Sequence, residues 1–144
     1  MTRRRLDILL AIALGGAIGG VARYSVSLAL PTRPGHFPWD TFLINVSGSF
    51  VLGLLVILLA ERFPPSRYAR PFIGTGIIGA YTTFSTFGIE TDLLIRAGRV
   101  GIAAAYALGT LAGGLVAAWI GLVVGRWLSG LGGQALRPDP PVPS

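Results

Sequence analysis

The stretch GAYTTFSTFG, positions 79 to 88, concentrates polar and aromatic groups inside an apolar run: Thr82, Thr83, Ser85 and Thr86 place four hydroxyls in five positions, with Phe84 and Phe87 among them. Gly74, Gly76 and Gly79 precede the cluster. Such groups handle ions rather than covalent bonds. Glycines and hydroxyls suit a break in a membrane helix, where freed carbonyls and amides must be met by side chains, water or an ion. Carbonyls ending the first half-helix favour a cation, and amides opening the second favour an anion. Phe84 and Phe87, three apart, share a helix face. Their ring edges carry partial positive charge and, beside hydroxyl donors, can replace the water shell of a small anion. A kinked helix with its hydroxyls bonded to i−4 carbonyls is the plainer reading of the same residues.

Other polar groups in apolar surroundings belong to the same question, because hydrocarbon does not satisfy them. Asn45 lies between Ile44 and Val46, with Ser47 and Ser49 following. The serines are expected to bond back to their own helix. The Asn45 amide has two donors that one helix does not use, so helix-to-helix bonding and pore lining both stand. Tyr106 adds a hydroxyl to the last apolar run. Arg23, Glu90 and Asp92 sit toward the ends of their runs and read first as interfacial anchors; Arg23 would also concentrate anions at a pore mouth.

The elements that position these residues are membrane spans. Of 144 residues, 52% are hydrophobic and only 12% charged, against roughly 25% charged in soluble domains. Four apolar runs, about 6–30, 41–60, 71–95 and 100–127, are each long enough to cross a bilayer. The first exceeds the apolar core of a signal peptide and is expected to be retained. Residues 1–128 therefore form one four-helix transmembrane domain, and 129–144 a disordered, proline-rich tail. The third span carries the break. Glycines four apart (Gly15 and Gly19, Gly16 and Gly20, Gly109 and Gly113, Gly121 and Gly125) predict close helix packing.

The net charge of +6 comes entirely from arginine, since the chain has no lysine. The arginines cluster at span ends, which assigns them to anchoring and orientation rather than to nucleic acid. Eight on the side of the N-terminus against four on the other place both termini in the cytoplasm. With no cysteine, a single histidine (His36, in a loop) and no nucleophile paired with a base, the chain is not expected to be an enzyme.

These residues resemble the CrcB/Fluc family of fluoride channels. The likeness rests on GGAIGGVARY at 15–24, TFLINVSGSFVLG at 41–53 and GIIGAYTTFSTFGIE at 76–90. It implies an all-α membrane protein of four helices with a broken third, working as an antiparallel, dual-topology dimer with two pores. It further implies passive, selective export of fluoride from the cytoplasm across a cell membrane, relieving fluoride toxicity. In that picture Phe84 and Phe87 line the fluoride path, and Asn45 is an amide donor. Ser85, Thr86 and Tyr106 join the line of polar contacts, and Arg23 faces a vestibule. The carbonyls of Gly79 and Thr82 would hold a structural sodium ion at the dimer centre. The partner would be a second copy of this chain or an oppositely oriented homologue. Ala80 and Gly88 depart from the family pattern, where glycine and serine are frequent.

Two other functions remain to be weighed. A proton-coupled exporter of the same size needs a carboxylate deep in a span, for which Glu90 and Asp7 are the candidates. A membrane scaffold that only packs helices leaves the hydroxyl and phenyl cluster without a purpose.

Overall fold

A computed structural model describes residues 3–61 and 66–130. Four helical stretches are long and apolar enough to cross a membrane: Arg5–Ala29, Trp39–Ala60, Arg70–Arg96 and Val100–Ser129. All regular structure among the described residues is helical. The expected spans are thus present, their ends shifted by a few residues. The loop at 62–65 and most of the expected tail, 131–144, lie outside the described residues.

Helix α1 covers Arg3–Ala29 and α2 covers Trp39–Glu61. The third span opens as a π-helix, Arg70–Ile78, with Pro71 in its first turn, where a missing N–H goes unnoticed. The short helix α3, Gly79–Tyr81, continues it. Thr82 (ψ 156°) and Thr83 (φ −146°, ψ 122°) are then extended, and α4 runs from Phe84 to Arg96. A tight turn joins α4 to α5, Val100–Ser129. Gly98 has φ 72° there. Its N–H bonds Ile95 O at 2.9 Å and that of Arg99 bonds Leu94 O at 2.8 Å, so the last carbonyls of α4 are satisfied before the chain reverses.

The two extended residues let one span serve two neighbours. The π segment and α3 pack on α1, whereas α4 packs on α5, and α2 lies along α5. Small residues make these approaches possible. A Cβ at Gly19 would collide with Ile77 O, and one at Gly121 with Phe50 O. Gly15 and Gly19 thus serve the third span, and Gly121 and Gly125 serve α2. A Cβ at Gly16 would be in ordinary contact with Ala80, 4.0 Å away, and Gly20 faces open space. The π coil was not anticipated from the sequence; within it Gly76 is buried so tightly that an added Cβ would lie 2.9 Å from Gly15 Cα.

Candidate functional site

Asn45 occupies the inner face of α2, and its amide reaches across to the backbone of Thr83. Nδ2 donates to Thr83 O at 2.9 Å, and Oδ1 accepts from Thr83 N at 2.9 Å. Only this orientation of the amide satisfies both groups. In an unbroken helix the Thr83 N–H would bond Gly79 O, so the amide replaces a helical partner and leaves Gly79 O without its own. Gly48, one turn further along α2, makes room: a Cβ there would collide with the Thr82 methyl and stand 3.3 Å from the Tyr81 ring. Ser49 Oγ donates to Asn45 O at 2.8 Å and Ser47 Oγ to Leu43 O at 2.6 Å, the back-bonding expected of serine in a span.

Thr83 also starts the second half of the span. Its Oγ1 accepts from Thr86 N at 3.2 Å and donates to Thr86 Oγ1 at 2.9 Å, with Ser85 Oγ 3.4 Å away. This is a side-chain cap on α4, satisfying one of the amides that a helix start leaves free. The Ser85 and Thr86 hydroxyls therefore belong to the cap cluster rather than to the cavity beside it.

That cavity has a volume of about 390 Å³. Phe84 and Phe87 border it, with ring centroids 5.8 Å apart. Asn45, Ser49, Thr82, Thr83 and Thr110 supply its polar wall, and none of the described residues that line it is charged. The Thr110 hydroxyl is buried and has no hydrogen-bond partner. A buried hydroxyl left unmet costs free energy, about 1–3 kcal/mol, and this one stands at a cavity between two phenyl rings and an amide. Phe84 is 80% exposed, so one chain leaves most of that ring uncovered.

Next to the rings lies a carboxylate network. Phe87 packs on the Tyr106 ring at 5.2 Å, and Tyr106 is fully buried. Its hydroxyl donates to Glu90 Oε2 at 2.7 Å, while Thr41 Oγ1 donates to Glu90 Oε1 at 3.1 Å. Thr32 Oγ1 in the first loop donates to Asp40 Oδ1 at 2.6 Å. Here the structure corrects the sequence reading. Glu90 is not an anchor reaching for the interface: α5, laid beside α4 after the chain reverses, brings the Tyr106 hydroxyl onto one carboxylate oxygen, and the start of α2 brings that of Thr41 onto the other. Asp92 does behave as a surface group, paired with Arg96 at 2.7 Å.

Of the expected site residues, Asn45, Thr82, Phe84 and Phe87 line one cavity. Ser85 and Thr86 adjoin it through the cap. Tyr106 touches it only through the Phe87 ring, its hydroxyl being taken by Glu90. Gly79 is exposed at the surface beneath the extended pair, and Arg23 is half-buried on α1, away from the cavity wall. Two participants were missed. Thr110 follows Tyr106 by four positions and so shares its helix face, a spacing that was available to be read. Thr41 looked like an ordinary residue at a helix start, and nothing local links it to a carboxylate 49 positions on.

Comparison with known proteins gives a consistent family. The sequence model of a family described as CrcB-like protein, Camphor Resistance (CrcB), matches residues 10–122. A Nocardia farcinica protein named fluoride-specific ion channel FluC 2 is 47% identical over 127 residues, 85% of this chain and 88% of that protein. One from Chloroflexus aurantiacus, named fluoride-specific ion channel FluC, is 43% identical over 126 residues, 87% of this chain and 100% of that one. Fluoride-specific ion channel FluC 3 of Streptomyces avermitilis is 47% identical over 125 residues, 87% of this chain, and the match spans only 61% of that longer relative.

Proposed function

The chain belongs to the CrcB-like family, and from that premise we propose that it is a fluoride-selective passive channel that exports fluoride from the cytoplasm. One observation carries the mechanism: two phenyl rings, the Asn45 amide and the unpartnered Thr110 hydroxyl border one uncharged cavity. A small, strongly hydrated anion gives up its water only where donors replace it. Ring edges, an N–H and an O–H provide such donors without a fixed cation that would trap the ion. The Asn45 amide keeps one N–H beyond the Thr83 bond.

The extended pair Thr82 and Thr83 acts as the functional break in the third span. Asn45 holds it open by taking the Thr83 N–H, and the Thr83 side chain starts the second half-helix. Thr86 and Ser85 support that start, and Tyr106 steadies the Phe87 ring while its hydroxyl is held by Glu90. Arg23 serves the vestibule.

The working unit is an antiparallel pair of copies. The exposure of Phe84, at 80%, supports this, because a pathway ring bare on one chain needs a second surface to enclose it. Gly79 O, relieved of its helical donor and carried on an exposed residue, suits a cation. With Thr82 O it would hold the structural sodium ion that the family resemblance implies, fixing the two breaks against each other. A proton-coupled exporter fits less well: its candidate carboxylate, Glu90, accepts from Tyr106 and Thr41 and lines a different cleft from the one bordered by the two rings.

Efflux from liposomes containing only this purified chain tests the reading. Rapid fluoride loss with chloride retained, and no dependence on a proton gradient, is the expected result. No flux from this chain alone would rule out the homodimer, and equal flux of both anions would rule out selectivity.

A further inference from the structure

Meeting the cavity of the rings at Leu52, a second cleft of about 350 Å³ lies between the later half of α2 and the start of the π segment. Leu52, Leu55, Val56, Leu59 and Gly74 wall it, and Arg70 is the one charged residue among the described residues that line it. The cleft exists because the π segment packs on α1 more closely than on α2. Gly74 keeps it open: a Cβ built there meets nothing within 4 Å.

Its dimensions select an occupant. From Leu52 to Ala60 the helix rises roughly 12 Å, close to the ~15 Å of one leaflet's hydrocarbon. The cleft therefore runs from the end of the span to its middle. Apolar side chains wall it over that length, which suits an alkyl chain. At the Arg70 end, Arg67 lies 4.8 Å over the exposed Tyr68 ring, an aromatic placement typical of the headgroup level. Arg70 itself is exposed and has no ion-pair partner among the described residues. A planar guanidinium at that depth matches a phosphodiester through paired N–H donors.

We infer that this cleft binds one anionic phospholipid, its phosphate on Arg70 and an acyl chain along Leu59, Val56 and Leu52. The site shares Leu52 with the ring cavity but none of that cavity's polar residues, and it does not depend on what passes there. The lipid comes from whichever leaflet lies at the level of Arg70.

Native mass spectrometry of the purified full chain with phosphatidylglycerol or phosphatidylcholine tests it. The wild-type chain should retain one phosphatidylglycerol in preference to phosphatidylcholine by about fivefold, the effect of one interfacial cation. Arg70→Gln should bring that preference to parity. Gly74→Leu, which fills the cleft, should remove both adducts. Fluoride flux by the Arg70→Gln chain checks that it folds. Equal phosphatidylglycerol retention by the wild-type and Arg70→Gln chains would overturn the site, as would unchanged adducts in Gly74→Leu. High-yield cross-linking of Val56→Cys in one copy to Gly74→Cys in another would show protein in the cleft and overturn it equally.

Discussion

The side chain of Asn45 and the backbone of Thr83 form a closed two-bond pair, each bond 2.9 Å long, across 38 positions of sequence. A side-chain amide carries its donor and its acceptor side by side, so it donates to a peptide carbonyl and accepts from a peptide N–H of the same residue at once. Asn45→Ala leaves both Thr83 groups without that partner and should destabilise the chain by about 2 kcal/mol. Asn45→Asp keeps an acceptor, loses the donor and places a carboxylate beside an anion path. Both variants should lose fluoride flux, with Asn45→Asp the more severe. Wild-type flux in Asn45→Ala, read by liposome efflux with thermal unfolding in parallel, would show that the clamp is dispensable.

Phe84 and Phe87 separate stability from conduction. Phe84 is mostly exposed on one chain, whereas Phe87 packs against Tyr106. Phe84→Ile is expected to change unfolding stability by less than about 0.5 kcal/mol, and Phe87→Ile to cost about 1 kcal/mol through the lost ring contact. Each removes a positive ring edge, so flux should fall at least about tenfold in both. If a scaffold were the true role, both substitutions would leave cellular fluoride resistance intact.

Thr110→Val replaces a hydroxyl with a methyl of nearly the same shape. Because Thr110 Oγ1 has no partner, no internal hydrogen bond is lost, and stability should hold or rise by about 1 kcal/mol. Fluoride flux should nevertheless drop, and Thr110→Ser should restore it. A marked loss of stability in Thr110→Val would mean that the hydroxyl serves packing instead.

Tyr106 and Glu90 are joined at 2.7 Å, and their coupling is measurable by a double-mutant cycle with Tyr106→Phe and Glu90→Gln. A hydrogen bond to a charged group exceeds a neutral one by about 1 kcal/mol, and because glutamine still accepts from Tyr106 the pair should show a coupling of about that size by chemical unfolding in detergent. Additive effects of the two substitutions would argue that the contact contributes nothing. The same variants address proton coupling. Fluoride loss from Glu90→Gln liposomes should remain downhill and indifferent to an imposed proton gradient.

Much of the fold was legible because it is local. A run of apolar residues longer than 18 is read directly from the sequence, and hydrocarbon leaves such a run only the helix. The same holds for Gly79 to Phe87, whose hydroxyls and rings contrast with everything near them. Asn45 was legible as a residue in need of a partner. Which partner it had was not, since the choice between another helix and a pore depends on what lies opposite. The structure shows the bond to another helical span, the amide holding Thr83, with Asn45 also on the wall of a cavity.

The sequence by itself determined that this chain lives in a membrane as four spans, and that its unusual chemistry lies in the third. Composition and hydropathy along the chain carry that information without reference to contacts. Only the tertiary structure decided that the π segment packs on α1 while α4 packs on α5. It also decided that Glu90 meets Tyr106 and Thr41 instead of the interface, and that Thr110 stands at the cavity with its hydroxyl unmet. Those facts depend on which helix faces which, and in a bilayer that is set by shape and by the few polar groups needing partners. Apolar pattern, nearly uniform around every span, does not specify it.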